Sequence, residues 1–442
     1  MNAKRRAASL LLGVLLAACA GTPAVSTPSG SPPAALSPIL ITTTTTVPTA
    51  APTAAALMAS PLVAPTPTAV PLPAPTAAPT PSSCVTLNEY VVVTGDTLWE
   101  IAQRYGVTLD PLLAANPQVR DRGLIHPGDR IAIPPSAIDL GKPDGYPSAA
   151  SDINNNGQIV GRIQSPSGRW RAFLWQDGAM IDIGTLGGPT SMAHDINNAG
   201  HVVGFSSAAN NAGRGFLWRD GAMIDVGTMG GAIATVPMAI NDRDQVVGAA
   251  FTVGGEQHAF LWQDGAMSDL GTLGGTWSFA YDINERGQVV GVSSMSGCDG
   301  DCAQHACLWQ DGAMADLGTL GGDSSSAPAI NDLGQIVGDS TTASGTRHAF
   351  LWQDGAMVDL GALDGGWSGA NRINECGQVM GKVETPYGDQ DVLWQDRLMI
   401  ALGTPGRGHS AAAAINDRGQ IVGWSHAASG DEHAFLWQLG AE

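Results

Sequence analysis

The sequence predicts a mainly β chain, with a seven-bladed β-propeller over roughly its last 300 residues and a small β-α-α-β domain ahead of it. Three observations carry that prediction. An Ile-Asn pair recurs about every 43 residues, at Ile153-Asn154, Ile196-Asn197, Ile240-Asn241, Ile283-Asn284, Ile330-Asn331, Ile373-Asn374 and Ile415-Asn416. A Trp keeps the same beat at Trp175, Trp218, Trp262, Trp309, Trp352, Trp394 and Trp437. The background is rich in Gly and strand formers, as four short strands per blade require. Residues repeated seven times hold up architecture, so function belongs where the copies differ.

With 442 residues the chain has room for two or three domains, and only 14% of it is charged. The net charge is −19, falling to −22 if the segment bearing Lys4, Arg5 and Arg6 is removed. That sign argues against nucleic acid and anionic headgroups as partners, since both need clustered Lys and Arg. Six Cys in a chain this long do not make a disulfide scaffold.

Residues 1–18 read as a secretion signal: a basic start, then an apolar run from Ala7 to Leu16 that is too short to span a bilayer. The run ends in Leu16-Ala17-Ala18-Cys19, which resembles a bacterial lipobox. The resemblance implies cleavage before Cys19, diacylglycerol on its thiol and acylation of its new amino group. Two or three acyl chains anchor stably where one is marginal. Ala20 follows rather than Asp, which by the same resemblance favours the outer membrane of a two-membrane bacterium. An ordinary signal peptide with a chance Cys is the competing reading. The expected location is the cell envelope, exported and lipid-anchored, with periplasm and cell surface both open.

Residues 20–83 carry no charge and consist mostly of Pro, Thr, Ala and Ser. Such a segment has too few large side chains to offset its chain entropy, and its prolines favour polyproline II. With lipidated Cys19 it forms a linker over 19–83, able to reach ~200 Å at full extension. A spacer and a passive tether are equally good descriptions of it.

Between Cys84 and Pro135 the pattern changes. Tyr90-Val91-Val92-Val93 reads as a strand, and Thr94-Gly95-Asp96-Thr97 as a turn whose Thr97 hydroxyl caps a helix. Leu98, Ile101, Ala102 and Tyr105 recur at three and four, as on one helix face. Pro111 to Ala115 suits a second helix, and Ile131-Ala132-Ile133 a closing strand. This run, YVVVTGDTLWEIAQRYGVTLDPLLAANP…LIHPGDRIAIP, resembles a LysM domain over nearly all of residues 84–135. The resemblance implies binding of GlcNAc-containing polymers such as peptidoglycan or chitin. It implies a shallow groove with Gly95, Asp96, Thr97 and Leu98 on one wall and Asn116, Pro117, Leu124 and Ile125 on the other. Backbone groups beside Gly95 would bond the acetamido group, and Leu98 and Ile125 would cover its methyl. Gly95 and Asn116 also shape turns, Leu98 also suits a core, and Trp99 reads as packing.

The domain from 136 to 442 divides into four strands per repeat, joined by explicit turns. Asp-Gly pairs at Asp177-Gly178, Asp220-Gly221, Asp264-Gly265, Asp311-Gly312 and Asp354-Gly355 are strong hairpin signals. Asn-x-x-Gly turns end in Gly157, Gly200, Gly287, Gly334, Gly377 and Gly419, with Asp244 in the remaining copy. The repeats resemble the HAF family of extracellular repeats, on His258-Ala259-Phe260, His348-Ala349-Phe350 and His433-Ala434-Phe435. That resemblance implies secretion and brings no activity with it. An Asp139-Leu140-Gly141 strand precedes the first Ile-Asn strand, while the last copy lacks its fourth strand. Pairing the orphan with residues 433–437 would close a ring, and an open solenoid with polar caps is the alternative.

Candidate chemistry is sparse. His258, His305, His348 and His433 share one repeat position, which spreads them around a ring instead of gathering them at a metal. No His-Glu-x-x-His or Gly-x-Ser-x-Gly motif is present, and no facing carboxylate pair stands out. No metal, cofactor or catalytic residue is therefore expected. Cys298 and Cys302 read as a disulfide at a hairpin tip, or as part of a metal loop. Cys307 replaces a motif Phe and reads as a buried thiol, while Cys84 and Cys376 have no evident partner. Trp277, Trp367 and His409 stand six residues before an Ile-Asn pair, and Tyr146 one place off. They read as a sugar-stacking face at one mouth of the channel, or as packing between blades. The reading favoured is a lipid-anchored binding protein. A propeller enzyme on carbohydrate and an envelope spacer are its alternatives.

Overall fold

The computed structural model describes Cys84 and, apart from short gaps, residues 89–439. The signal segment, Cys19, the linker, Pro117, Cys298, Cys302 and His409 lie outside the described residues. No described helix is long and apolar enough to cross a membrane.

Glu89–Val91 (β1) pairs antiparallel with Arg130–Ala132 (β2), setting Tyr90 opposite Ile131. β1 stops short of the expected Val93 because the Asp96 carboxylate takes the Val93 amide, 2.8 Å away. Helices Leu98–Arg104 (α1) and Leu109–Ala114 (α2) fill the connection. α1 starts at a reciprocal cap: the Glu100 amide donates to the Thr97 hydroxyl, and the Thr97 amide donates to the Glu100 carboxylate. Leu98, Ile101 and Ala102 turn inward onto Val92, Leu112, Ile131 and Ile133, a core of the domain's own.

The propeller's first blade is Ser148–Ile153 (β4), Ile159–Gln164 (β5), Trp170–Gln176 (β6) and Ala179–Asp182 (β7), paired in that order. Five more sheets repeat it. The seventh joins Ser410–Ile415, Gln420–His426 and Glu432–Gln438 to Ser136–Asp139 (β3), with Ser136 opposite Gln438 and Asp139 opposite Phe435. The innermost strands touch in an unbroken circle, the seventh blade meeting β4. The ring is closed, as the orphan strand predicts.

One recurrent detail was illegible in the repeat spacing. Each innermost strand shifts register just before its Ile-Asn pair, as between Ala150 and Asp152. The strand beside it carries a glycine there in every blade. A Cβ on Gly161 would collide with the Ala149 carbonyl, and one on Gly423 with the Ala411 carbonyl. The glycine of each second strand is therefore a close-approach requirement. The Asp-Gly turns behave as expected, Asp177 having φ 54° and Gly178 φ 79°, and Asp244 takes φ 57° where other copies have Gly.

The apolar cores lie between blades. Val203, Leu217 and Val226 of the second blade pack on Ile240, Val246 and Phe260 of the third. Phe173, Phe216, Phe260 and Phe350 are fully buried, each worth about 1.5–3 kcal/mol of transfer free energy. Cys307 fills the equivalent position as a free buried thiol, its pKa raised well above the usual range by burial. On the face away from the Ile-Asn turns, the Ala172 amide donates to the Ser191 hydroxyl of the next blade, which donates to the Gly184 carbonyl.

Cys84 and Cys376, without evident partners in the sequence, are bonded to each other across 292 residues. Spacing could not reveal this pair, because it joins the segment before the LysM-like module to one Ile-Asn turn of the sixth blade.

Candidate functional site

The small domain offers its first candidate wall at the turn after β1. Gly95 is exposed with φ +99°, a conformation that other residues rarely adopt. Asp96 beside it is committed inward: it accepts from the Tyr90 hydroxyl at 2.7 Å and the Val93 amide, and Arg104 lies 3.8 Å away. The Tyr90 hydroxyl bond, then the Val93 amide, hold its carboxyl below the usual range. Tyr90 is raised in turn, chiefly by that same bond. Arg104 donates to Tyr90 Oη and stacks on its ring, 4.9 Å from the centroid.

The second wall divides the same way. Asn116 is fully buried, its Nδ2 donating to the Leu112 and Ala132 carbonyls and its Oδ1 accepting from the Ala132 amide. It ties α2 to β2. Leu98 is 4% exposed and belongs to the core, so its side chain cannot cover a ligand methyl. Both expectations for these side chains are corrected by burial. Half-buried Ile125 packs against the domain's core, while Leu124, 60% exposed, faces outward. So does Trp99 at 58%, against the expectation that it packs. Available to a ligand are thus the backbone around Gly95, Thr97 beyond its cap, and the apolar Leu124 and Trp99.

In the propeller, the Ile-Asn turns of all seven blades surround one mouth, a cavity of about 210 Å³ lined by those pairs and the residues after them. Two belts of hydrogen bonds run round it. Asn154 Nδ2 donates to the Asn197 carbonyl at 2.9 Å, Asn197 to Asn241, and so on until Asn416 donates to Asn154. Outside it, the amides of Asn155, Asn198, Asp242, Glu285, Asp332, Glu375 and Asp417 each donate to the side chain of the next member. Five of those seven acceptors are carboxylates. Burial above all raises Glu285, and pushes Glu375 up to about 7 with help from Asp332 and Asp417.

Deeper in the channel, Asp152, Asp195 and Asp282 sit just before their Ile-Asn pairs and accept from the Ile196, Ile240 and Ile330 amides of the following blades. Asp195 is raised well above the carboxylate range by burial and by its neighbour Asp152. Asp282 is pushed up to about 7, chiefly by burial, with Arg372 opposing the shift. The second belt could have been found in the sequence, since the residue after every Ile-Asn pair is Asn, Asp or Glu.

The aromatic candidates do not converge at this mouth. Trp277 and Trp367 lie at the opposite ends of the innermost strands, on the fourth and sixth blades, with the fifth between them. Trp277 is half-buried and packs beside Phe279 and Tyr281 against Ala249 of the preceding blade. Trp367 is half-buried, its amide donating to Glu384, and Tyr146 is half-buried on the first blade's approach. The repeated histidines pair locally: His258 Nδ1 lies 2.9 Å from Asp269, and His433 Nδ1 lies 2.8 Å from Asp139.

Fold and rim define a seven-bladed β-propeller with a small βααβ module in front. Within that class, residues 90–134 match the LysM domain family and are a LysM domain. Over 44 residues the chain is 46% identical to a chlorophenol reductase of Desulfitobacterium hafniense, covering 10% of this chain and 14% of that protein. Over 60 residues it is 40% identical to the spore coat assembly protein ExsA of Bacillus cereus, covering 14% and 9%. The chain therefore spans a small part of either relative. Among solved structures, the propeller domain of the Trilobed protease from Pyrococcus furiosus aligns over 66% of this chain and 95% of its own, at 11% identity and TM-score 0.48. A puromycin-hydrolyzing peptidase of Mycobacterium tuberculosis aligns over 66% and 50%, at 12% and 0.48. No activity is carried over from either.

Proposed function

We propose that this chain is an exported, lipid-anchored protein of the cell envelope that binds peptidoglycan or a chitin-like glycan through its LysM domain. The propeller presents a second recognition surface for a glycan or protein. One observation carries the reading: the LysM match at residues 90–134, with an exposed Gly95 turn and an outward Leu124. The Cys84–Cys376 disulfide supports an oxidising, exported setting, since such bonds persist outside the reducing cytosol. Lipid attachment at Cys19 rests on the lipobox resemblance, and secretion also on the HAF resemblance of the repeats. Binding supplies the function in this reading, without chemistry.

The test is cosedimentation of the full chain with insoluble peptidoglycan or chitin, beside residues 136–442 as control. The full chain is expected in the pellet and the control in the supernatant, and equal recovery of both removes LysM from the account. Cys19→Ala is expected to release the protein from membranes, and its retention there would point to another anchor. Breakdown of the polysaccharide during the assay would favour an enzyme.

A further inference from the structure

We propose that the Cys84–Cys376 disulfide is a closure latch for the propeller: it fastens the arm that carries the ring-closing strand to the blade beside the closure. The ring is sealed by one short strand, β3, whose four residues pair with Glu432–Gln438. Ser136 lies opposite Gln438, so the chain enters β3 at the Ile-Asn face, directly from the LysM domain. Ala132 of that domain packs in one apolar cluster with Leu402, Trp437 and Leu439 of the sixth and seventh blades. Cys84 precedes the LysM domain and is bonded to Cys376 in the Ile-Asn turn of the sixth blade. The arm is therefore held at both ends, by a covalent bond upstream of the LysM domain and by β3 downstream.

Cys376 is a departure from the repeat. The same position holds Asn156, Ala199, Arg243, Arg286, Leu333 and Arg418 in the other copies, so the architecture itself does not require a thiol. What the bond adds is proximity. When β3 peels from its partner, the tether keeps it beside the open edge, and reclosing stays intramolecular. Without the bond, a released arm leaves an unpaired edge strand, and the arm of a second copy can pair with it equally well. The latch thus selects self-closure over strand exchange between copies.

The experiment compares the full chain with Cys84→Ser and Cys376→Ser, by light scattering after size exclusion and by amide hydrogen exchange at residues 136–140. The wild type is expected to stay monomeric at all concentrations. Each variant is expected to exchange β3 amides at least tenfold faster and to form dimers that increase with concentration. Wild type treated with a dithiol, whose two thiols become a disulfide as Cys84 and Cys376 are reduced, should behave as the variants do. The two single variants separate that effect from any at Cys298 and Cys302, and the reduced wild type serves if a variant fails to fold. Unchanged β3 exchange together with a monomeric state in the variants and the reduced wild type overturns the latch.

Discussion

Asn116 in the LysM domain and Asn331 in the propeller rim perform the same chemistry at different range. Asn116 joins the Leu112 carbonyl to both backbone groups of Ala132, at most 16 residues away and inside one small core. Asn331 accepts from its own Gln335 amide, but donates to the Asn374 carbonyl of the next blade. Satisfaction in the LysM domain is thus local. In the rim it is collective, because each blade completes the hydrogen bonding of its neighbour and the last completes the first.

The largest test of that contrast removes residues 136–140. The propeller's melting temperature should fall by roughly 10 °C or more, with association through the exposed edge, while the LysM domain keeps its fold and the glycan binding proposed for it. A deletion mutant that stays monomeric and melts like the wild type would mean that the circle is not collective. Deleting residues 20–83 serves as the control and should leave melting unchanged.

Single asparagines sharpen the comparison. Asn331→Ala and Asn116→Ala each leave buried backbone groups unpaired and should cost about 2–4 kcal/mol in their own domain. By calorimetry, Asn331→Ala should lower one transition for the whole propeller, and Asn116→Ala only that of the LysM domain. Independent melting of the fifth blade in the Asn331 variant would argue for separable repeats.

A third effect is pH dependence confined to the propeller. Asp195, Asp282 and Glu375 have folded pKa values raised above their unfolded ones, the latter two to about 7. The folded state then binds more protons between about pH 4 and 7, so stability is greatest in acid and declines as pH rises through that window. The propeller should melt higher at pH 5 than at pH 8, and Asp282→Asn should shrink the slope. A slope that survives both Asp282→Asn and Glu375→Gln would place its origin elsewhere.

The smallest effect belongs to the LysM turn. Asp96→Asn removes the carboxylate that chiefly raises Tyr90, so ultraviolet titration should show Tyr90 ionising at lower pH. Tyr90→Phe identifies the affected signal. An unmoved titration would detach Asp96 from the hydroxyl.

The architecture was legible in the sequence because its causes repeat or are local. Asp-Gly turns dictate left-handed backbone, the Thr97 cap needs only Glu100 three residues on, and the orphan Asp139 strand announces closure by simple subtraction. The site was legible less evenly. Gly95 and Leu124 are exposed as the LysM resemblance implies, yet Leu98 and Asn116 turned inward. Sequence pattern cannot separate a residue that lines a groove from one that supports it. Trp277 and Trp367 share a repeat position, but equivalent positions in a ring are dispersed by its symmetry. The Cys84–Cys376 bond was invisible because it joins two units whose spacing obeys neither period.

Closure by the propeller's two ends also orders events during synthesis. β3 leaves the ribosome nearly 300 residues before the strand it must pair with, and every long-range closure is slow to form. The LysM domain, with a core of its own immediately ahead of β3, can fold early and by itself. The first element to acquire shape is thus the one that carries the last piece of the ring, and it must hold that piece unpaired until the seventh blade has been made.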